Sequence, residues 1–177
     1  NLTIVAPADE HDLRNLMYTA VIQKKPFVIR YPRGNGYLND WRNPMTEIAI
    51  GKGVRVKSGK DIAILSLGTM IHNAKKAIER LSERGLDVAM EDNKFLKPLD
   101  KELVVNVAKA TGKVFTVEEH SIIGGLGSAV AECLCDEYPC KVTRIGINDV
   151  FGESGPAGEL IAKYGLDAKS IYEKVKA

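Results

Sequence analysis

The sequence predicts an α/β domain: a three-layer sandwich with helices on both faces of a mostly parallel sheet. Three observations carry this. Strand-like and helix-like runs alternate along most of the chain, the pattern of successive βα units. The run Ile62–Leu67 is apolar almost throughout, as expected of a strand buried on both faces of a parallel sheet. The stretch Lys113–Glu132 passes from a β-branched run (Val114–Val117) through Glu118, Glu119 and His120 to a glycine cluster. An apolar helical run then follows from Ser128. In α/β sheets, sites collect where strands end and helices begin.

The elements follow in order. Leu2–Val5 reads as a short strand. Asp9 is the N-cap of a helix through about Gln23, with Glu10 and Asp12 in the first turn, where the helix dipole favours anions. Leu13, Leu16, Met17, Ala20 and Val21 recur at helical spacing and are expected to form its buried stripe; Pro26 ends it. Phe27–Arg30 is a second strand. This βαβ unit is too small to bury a core of its own and reads as the last piece of a larger domain. Tyr37–Ile50 shows no periodicity, contains Asn39, Trp41, Asn43 and Pro44, and reads as a linker, with a domain boundary near Thr46.

Beyond it come a strand at Gly53–Lys57, the buried strand Ile62–Leu67, and a helix to about Arg84 with Ile71, Ala74, Ala77, Ile78 and Leu81 inward. Gly85 caps that helix. Val88–Met90 is a strand, Asn93–Leu96 an irregular segment, and Pro98-Leu99-Asp100 opens a helix over Lys101–Ala110. Then follow the strand Val114–Val117, a helix from about Gly125 to Glu137 and the strand Val142–Ile147. Two short helices, Pro156–Lys163 and Ala168–Lys176, close the chain, with Ser154 and Asp167 as cap residues.

Composition removes several classes. Of 177 residues, 45% are hydrophobic, enough for a packed core. Twenty-five basic against 23 acidic residues leave a net charge of +2, too small for a nucleic-acid or anionic-membrane surface. No apolar run approaches the ~20 residues of a membrane helix, and Asn1–Pro7 lacks the features of a signal peptide. The odd count of cysteines, Cys133, Cys135 and Cys140, argues against a disulfide framework. On a helix, the Cys133-x-Cys135 pair points to opposite sides and cannot grip one metal. The thiols read as buried or incidental, in a reducing compartment.

Two places remain as candidate sites. The first is the loop after the second strand, Tyr31-Pro32-Arg33-Gly34-Asn35-Gly36, at the carboxyl end of a parallel strand. Arg30 and Arg33 supply fixed positive charge suited to phosphate or carboxylate; the competing reading is two surface arginines beside a turn. The second is the Lys113–Glu132 turn. Gly125-x-Gly127-x-x-Val130 lacks the third small residue of a dinucleotide fingerprint, and two acids precede it, so NAD-type binding is not supported. Neighbouring residues on a strand face opposite ways, so at most one of Glu118 and Glu119 shares a face with His120. His120 is a candidate acid or base, or a residue that orders the loop. Ser121 and Ser128 lack a nucleophile elbow. His11 and His72 read as structural or solvated. The residues alone yield no complete active site.

The ordered motifs IRYPRGNG (29–36), IGKG (50–53), ILSLGT (64–69), FLKPLD (95–100), TVEEHSIIGGLGSAV (116–130), IGINDVF (145–151) and YGLDAKSI (164–171) span the chain. They resemble the carboxyl end of the 1-deoxy-D-xylulose-5-phosphate synthases, thiamine-diphosphate-dependent enzymes of the transketolase family. The resemblance implies that 1–36 end a pyrimidine-binding domain, 37–45 form a linker, and 46–177 form a transketolase carboxyl-terminal domain. That domain carries a five-stranded mixed sheet, with Gly53–Lys57 the candidate antiparallel strand. It implies a cytoplasmic, homodimeric transferase that condenses pyruvate with D-glyceraldehyde 3-phosphate and releases CO2, feeding isoprenoid, thiamine and pyridoxal synthesis. Thiamine diphosphate and Mg2+ are expected in the full enzyme and not on these residues, which carry no Gly-Asp-Gly…Asn diphosphate motif; alone the chain is expected to be inactive. Arg33 is the one residue that inherits a family role, contact with the acceptor's phosphate. Glu118, Glu119 and His120 are expected to order the turn or a dimer contact. The alternatives are a stand-alone dimerisation or binding module of this fold, or a 2-oxoacid dehydrogenase β-type subunit.

Overall fold

The structure is a computed structural model that describes residues 1–36, 38 and 42–176. Trp41 and Asn39 of the expected linker lie outside these residues; 42–50 form no helix or strand. The main body is a five-stranded sheet. Its strands are β3 (Val54–Lys57), β4 (Ile62–Ser66), β5 (Val88–Asp92), β7 (Lys113–Ser121) and β8 (Lys141–Ile147), in the order β3-β5-β4-β7-β8. All neighbours run parallel except β3, which pairs antiparallel with β5. The expected mixed sheet, with its antiparallel strand at 53–57, is present.

Alternate residues of the strands feed two cores. On one face Ile62, Ile64, Met90, Phe115, Val117 and Ile145 pack against α2 (Met70–Ser82) and α6 (Ala168–Lys176). On the other, Ala63, Leu65, Ala89 and Val114 pack against α3 (Lys101–Thr111) and α4 (Leu126–Glu137). β4 is buried at all five positions, as its apolar run required. The inward stripe of α2 is buried as expected. Asp100 caps α3 by accepting from the Leu103 amide (3.2 Å), and Asp167 accepts from Ser170 ahead of the last turns (3.3 Å). Ser154 does not cap α5 (Ala157–Lys163). Pro156 takes that position and makes no side-chain cap bond, so its fixed φ starts the helix.

The amino-terminal unit is β1 (Thr3–Val5), α1 (Glu10–Gln23) and β2 (Phe27–Ile29), with β1 and β2 parallel. Asp9 caps α1 through the Asp12 amide (3.0 Å), and Lys24 ends it in the left-handed conformation (φ 51°), before Pro26 is reached. Two expectations fail here. The segment 93–96 is not wholly irregular: Phe95–Lys97 forms β6, which pairs antiparallel with β1 in a second sheet of order β2-β1-β6. The unit's core is completed by this distant strand, with Val5, Leu16 and Phe95 buried together. Nor is the stripe of α1 buried. Leu16 and Thr19 are inward, but Met17 and Val21 are exposed, because the two short strands cover less than the helix's full apolar width.

Candidate functional site

The loop that follows β2 carries the two arginines. The Arg30 amide donates to Val5 (2.9 Å), continuing the β1–β2 pairing to the loop's first residue. Its guanidinium Nη1 donates to Glu119 Oε1 at 2.9 Å, across to β7 of the other sheet. The other carboxylate oxygen accepts from the Thr69 hydroxyl (3.4 Å). At the loop's far end, Glu10 accepts from the Leu38 amide (3.1 Å) and lies against Gly36. Between these anchors Arg33 is exposed, and no hydrogen bond or ion pair joins it to a described residue. Pro32 and Gly34 on either side of it line a cavity of about 200 Å³, with Pro7, Asp9, Tyr31 and Thr69 in its walls. An exposed guanidinium between two residues that line a cavity, near a strand's carboxyl end, suits an anion brought in from solvent.

The acidic strand end is built for a different purpose. β7 runs on to Ser121, four residues beyond the expected stop, so Glu118, Glu119 and His120 are strand residues rather than turn residues. Alternation then sends Glu118 and His120 to one face and Glu119 to the other. Glu118 is fully buried; its Oε2 accepts from the Leu126 amide (2.7 Å) and its Oε1 from the Gly127 amide (2.8 Å). The carboxylate thus satisfies amides at the start of α4 and meets its dipole. His120 Nδ1 lies 3.8 Å from Glu118 Oε2. Among the described residues no water-facing carboxylate pairs with His120: Glu118 is enclosed, and Glu119 holds Arg30.

Each glycine of the cluster answers to this arrangement. Gly124 adopts φ +75°, where side chains are rarely found. A Cβ on Gly125 would run into the Glu118 carboxylate. One on Gly127 would lie 2.6 Å from Arg144 Cγ and 2.9 Å from Thr116 Oγ1. The place a pyrophosphate takes in a dinucleotide site is filled by the chain's own carboxylate.

A second charged cluster lies between the two sheets. Lys94 Nζ pairs with Asp92 (2.7 Å) and with Asp12 of α1, all three largely buried. Burial disfavours the Lys94 charge, but the two carboxylates outweigh it and raise its pKa; burial holds the Asp92 carboxyl above its ordinary range against the pull of Lys94. Beside it, Glu91 is enclosed and paired with Arg55 (2.8 Å), its pKa also raised by burial. This cluster was missed from sequence. Its one signal was a run of charge, Glu91-Asp92-Asn93-Lys94, directly after an apolar strand. His72 also belongs to this junction, with Nε2 3.0 Å from the Ala8 carbonyl oxygen.

Cys133 is buried and Cys135 exposed, on opposite sides of α4, and burial raises the Cys133 thiol pKa. Among the described residues no three His, Cys, Asp or Glu side chains are grouped to hold a metal, and no helix is long and apolar enough to cross a membrane.

The comparisons with known proteins agree with this architecture. The family model for the transketolase C-terminal domain matches residues 51–171. The 1-deoxy-D-xylulose-5-phosphate synthase of Bacteroides thetaiotaomicron is 48% identical over an alignment of 178 positions that covers 99% of this chain. The synthase 1 of Geobacter metallireducens is 40% identical over 99% of it. The chain spans 28% of the length of these curated relatives. Among solved structures, a split-gene transketolase described as an inactive beta4 tetramer superposes with a TM-score of 0.90 at 41% identity, covering 99% of this chain and 57% of that one. A transketolase variant from Pichia stipitis, 16% identical with a TM-score of 0.69, shares the fold. With its matched residues spanning the five-stranded sheet and its helices, the chain belongs to the transketolase C-terminal domain family.

Proposed function

We propose that this chain is the carboxyl-terminal part of a 1-deoxy-D-xylulose-5-phosphate synthase. That enzyme condenses pyruvate with D-glyceraldehyde 3-phosphate and releases CO2, supplying isoprenoid, thiamine and pyridoxal synthesis. The observation that carries the reading is identity of 45–48% to several synthases along nearly the whole chain. The same names weigh against a stand-alone module or a 2-oxoacid dehydrogenase subunit.

In this reading residues 1–36 are the end of the pyrimidine-binding domain, 37–45 a linker and 46–177 the carboxyl-terminal domain. The cytoplasm is its compartment. Copies associate through their transketolase domains as homodimers; the tetrameric state of the split-gene neighbour supports self-association. Arg33 receives the phosphate of the acceptor. Its exposure, its place beside the cavity and its freedom from described partners support that role.

Thiamine diphosphate supplies the ylid and electron sink of such enzymes. The described residues do not fit it or its Mg2+. The one glycine-rich cradle is occupied by Glu118, and no clustered carboxylates offer a cation site. We assign cofactor binding to other parts of the enzyme. Calorimetric titration of the 177-residue chain with thiamine diphosphate and Mg2+ tests this: no saturable heat is expected, and clear saturable binding would overturn it.

A further inference from the structure

α1 is apolar on more than its inner side. Leu16 and Thr19 are buried, yet Met17 is 56% exposed and Val21 76%. Residues 43–48 close one flank of the helix. Arg14 donates to the Asn43 carbonyl, the Thr46 amide to Asn15 Oδ1 (3.0 Å), the Ile48 amide to Thr19 Oγ1 (2.9 Å) and Gln23 Nε2 to Glu47 Oε1 (2.8 Å). What is left is a groove of about 570 Å³, lined by Leu13, Met17, Tyr18, Val21 and Met45, with Glu10 and Arg14 at its edge. A helix that is apolar almost all round belongs in an interior, and an apolar surface with a polar rim marks a place where another element docks.

The sequence of α1 suits a second copy of itself. Glu10, Arg14, Met17, Val21 and Lys24 follow one another in alternating steps of four and three residues. That spacing keeps a seam continuous between two nearly aligned helices. In an antiparallel pair with its two-fold axis at Met17, residues equally distant from Met17 in opposite directions meet. Leu13 and Val21 each stand four residues from it, so each Leu13 faces Val21 of the other copy. Glu10 and Lys24 each stand seven residues from it, so a carboxylate faces an exposed ammonium at both ends of the seam. A parallel pair would set Glu10 against Glu10 and Lys24 against Lys24, which like-charge repulsion opposes.

We propose that a second copy of this chain covers the α1 groove, antiparallel and two-fold symmetric about Met17. The proposal rests on the reading that copies of the chain associate, and it names the surface they use: an isologous contact on the amino-terminal unit, with Met17, Val21 and Leu13 as its apolar centre.

The mass of the 177-residue chain in solution, followed by sedimentation as concentration rises, tests it. A dimer is expected. Met17→Glu is expected to raise the dimer Kd at least about a hundredfold, since the new carboxylate would be buried without a partner. Met17 is exposed in the single chain, so this variant is expected to keep its fold, with an unchanged circular dichroism spectrum. In a background of C135S and C140S, oxidation is expected to join M17C to itself, and L13C to V21C when the two are mixed. A chain that stays monomeric at every concentration overturns the self-association reading and this inference with it. A dimer that M17E leaves intact overturns this inference alone, and so does a V21C that joins itself in preference to L13C. In the proposed full-length synthase, M17C is expected to join two subunits. A Met17→Cys thiol shielded from oxidation there would mean that another part of the enzyme covers the groove, which also overturns the proposal.

Discussion

Oε2 of Glu118 lies 2.7 Å from the amide nitrogen of Leu126, and Oε1 lies 2.8 Å from that of Gly127. One buried carboxylate joins the end of β7 to the start of α4. The turn between them resembles a phosphate cradle in sequence and is a closed structural joint in space.

Removing that carboxylate strands two buried amides. Glu118→Ala is expected to cost about 2–4 kcal/mol, and Glu118→Gln, which keeps one acceptor, about half as much. Urea denaturation of the chain measures both. A change below about 0.5 kcal/mol for the alanine variant, the size of an ordinary surface substitution, would show that the joint contributes little.

The same joint sets the tolerance of its glycines. Gly127→Ala places a methyl group 2.6 Å from Arg144 Cγ and 2.9 Å from Thr116 Oγ1, with β8 behind it. A loss of about 1–3 kcal/mol is expected. Gly152→Ala, with nothing within 4 Å of the added Cβ, serves as the control and should stay within about 0.5 kcal/mol. Thermal melts of the two variants compare them directly.

The Lys94 cluster predicts a pH dependence of definite sign. Lys94→Met leaves Asp92 and Asp12 buried without their cation and should destabilise the chain by about 3–5 kcal/mol at pH 7. Burial raises the folded Asp92 pKa above its ordinary 3.8, so the folded form binds its proton first. The penalty of the charged carboxylate therefore grows as pH rises through that range and fades as pH falls. The deficit of Lys94→Met relative to the unaltered chain should accordingly shrink between pH 7 and about pH 4.5. In the unaltered chain the raised pKa of Lys94 works the other way: its contribution is complete below 10.5 and is lost as pH climbs through the folded value. Denaturant midpoints across pH decide this; a pH-independent deficit would contradict it.

Much of the fold was legible because its determinants are local. The apolar run at 62–66, the helical stripe of α2 and the caps Asp9 and Asp167 act within a few residues and appear as read. β6 was not legible, since Phe95–Lys97 is a strand only because β1, some ninety residues earlier, lies beside it. The outer face of α1 misled for a related reason: periodicity shows which residues form an apolar stripe, not how much of that stripe the neighbouring strands can cover. The strand was expected to stop at Val117, whereas β7 runs on to Ser121. Burial of Glu118 is made possible by amides at the start of α4, eight and nine residues on, and the near-burial of Glu119 by an arginine 89 residues earlier. Of the candidate site, the alternation of Glu118 and Glu119 was foreseeable, whereas the identity of their partners, and the Lys94 cluster, depended on how the two sheets meet.

The central claim is that the chemistry at this end of the chain belongs to Arg33 and not to the glycine turn. Steady-state kinetics of the proposed full-length synthase, with Arg33→Ala, tests it most directly. The KM for D-glyceraldehyde 3-phosphate is expected to rise about ten- to a hundredfold, with the KM for pyruvate unchanged and kcat within about threefold, as when a binding contact to the phosphate is lost. An unchanged KM for the phosphorylated acceptor would contradict the account.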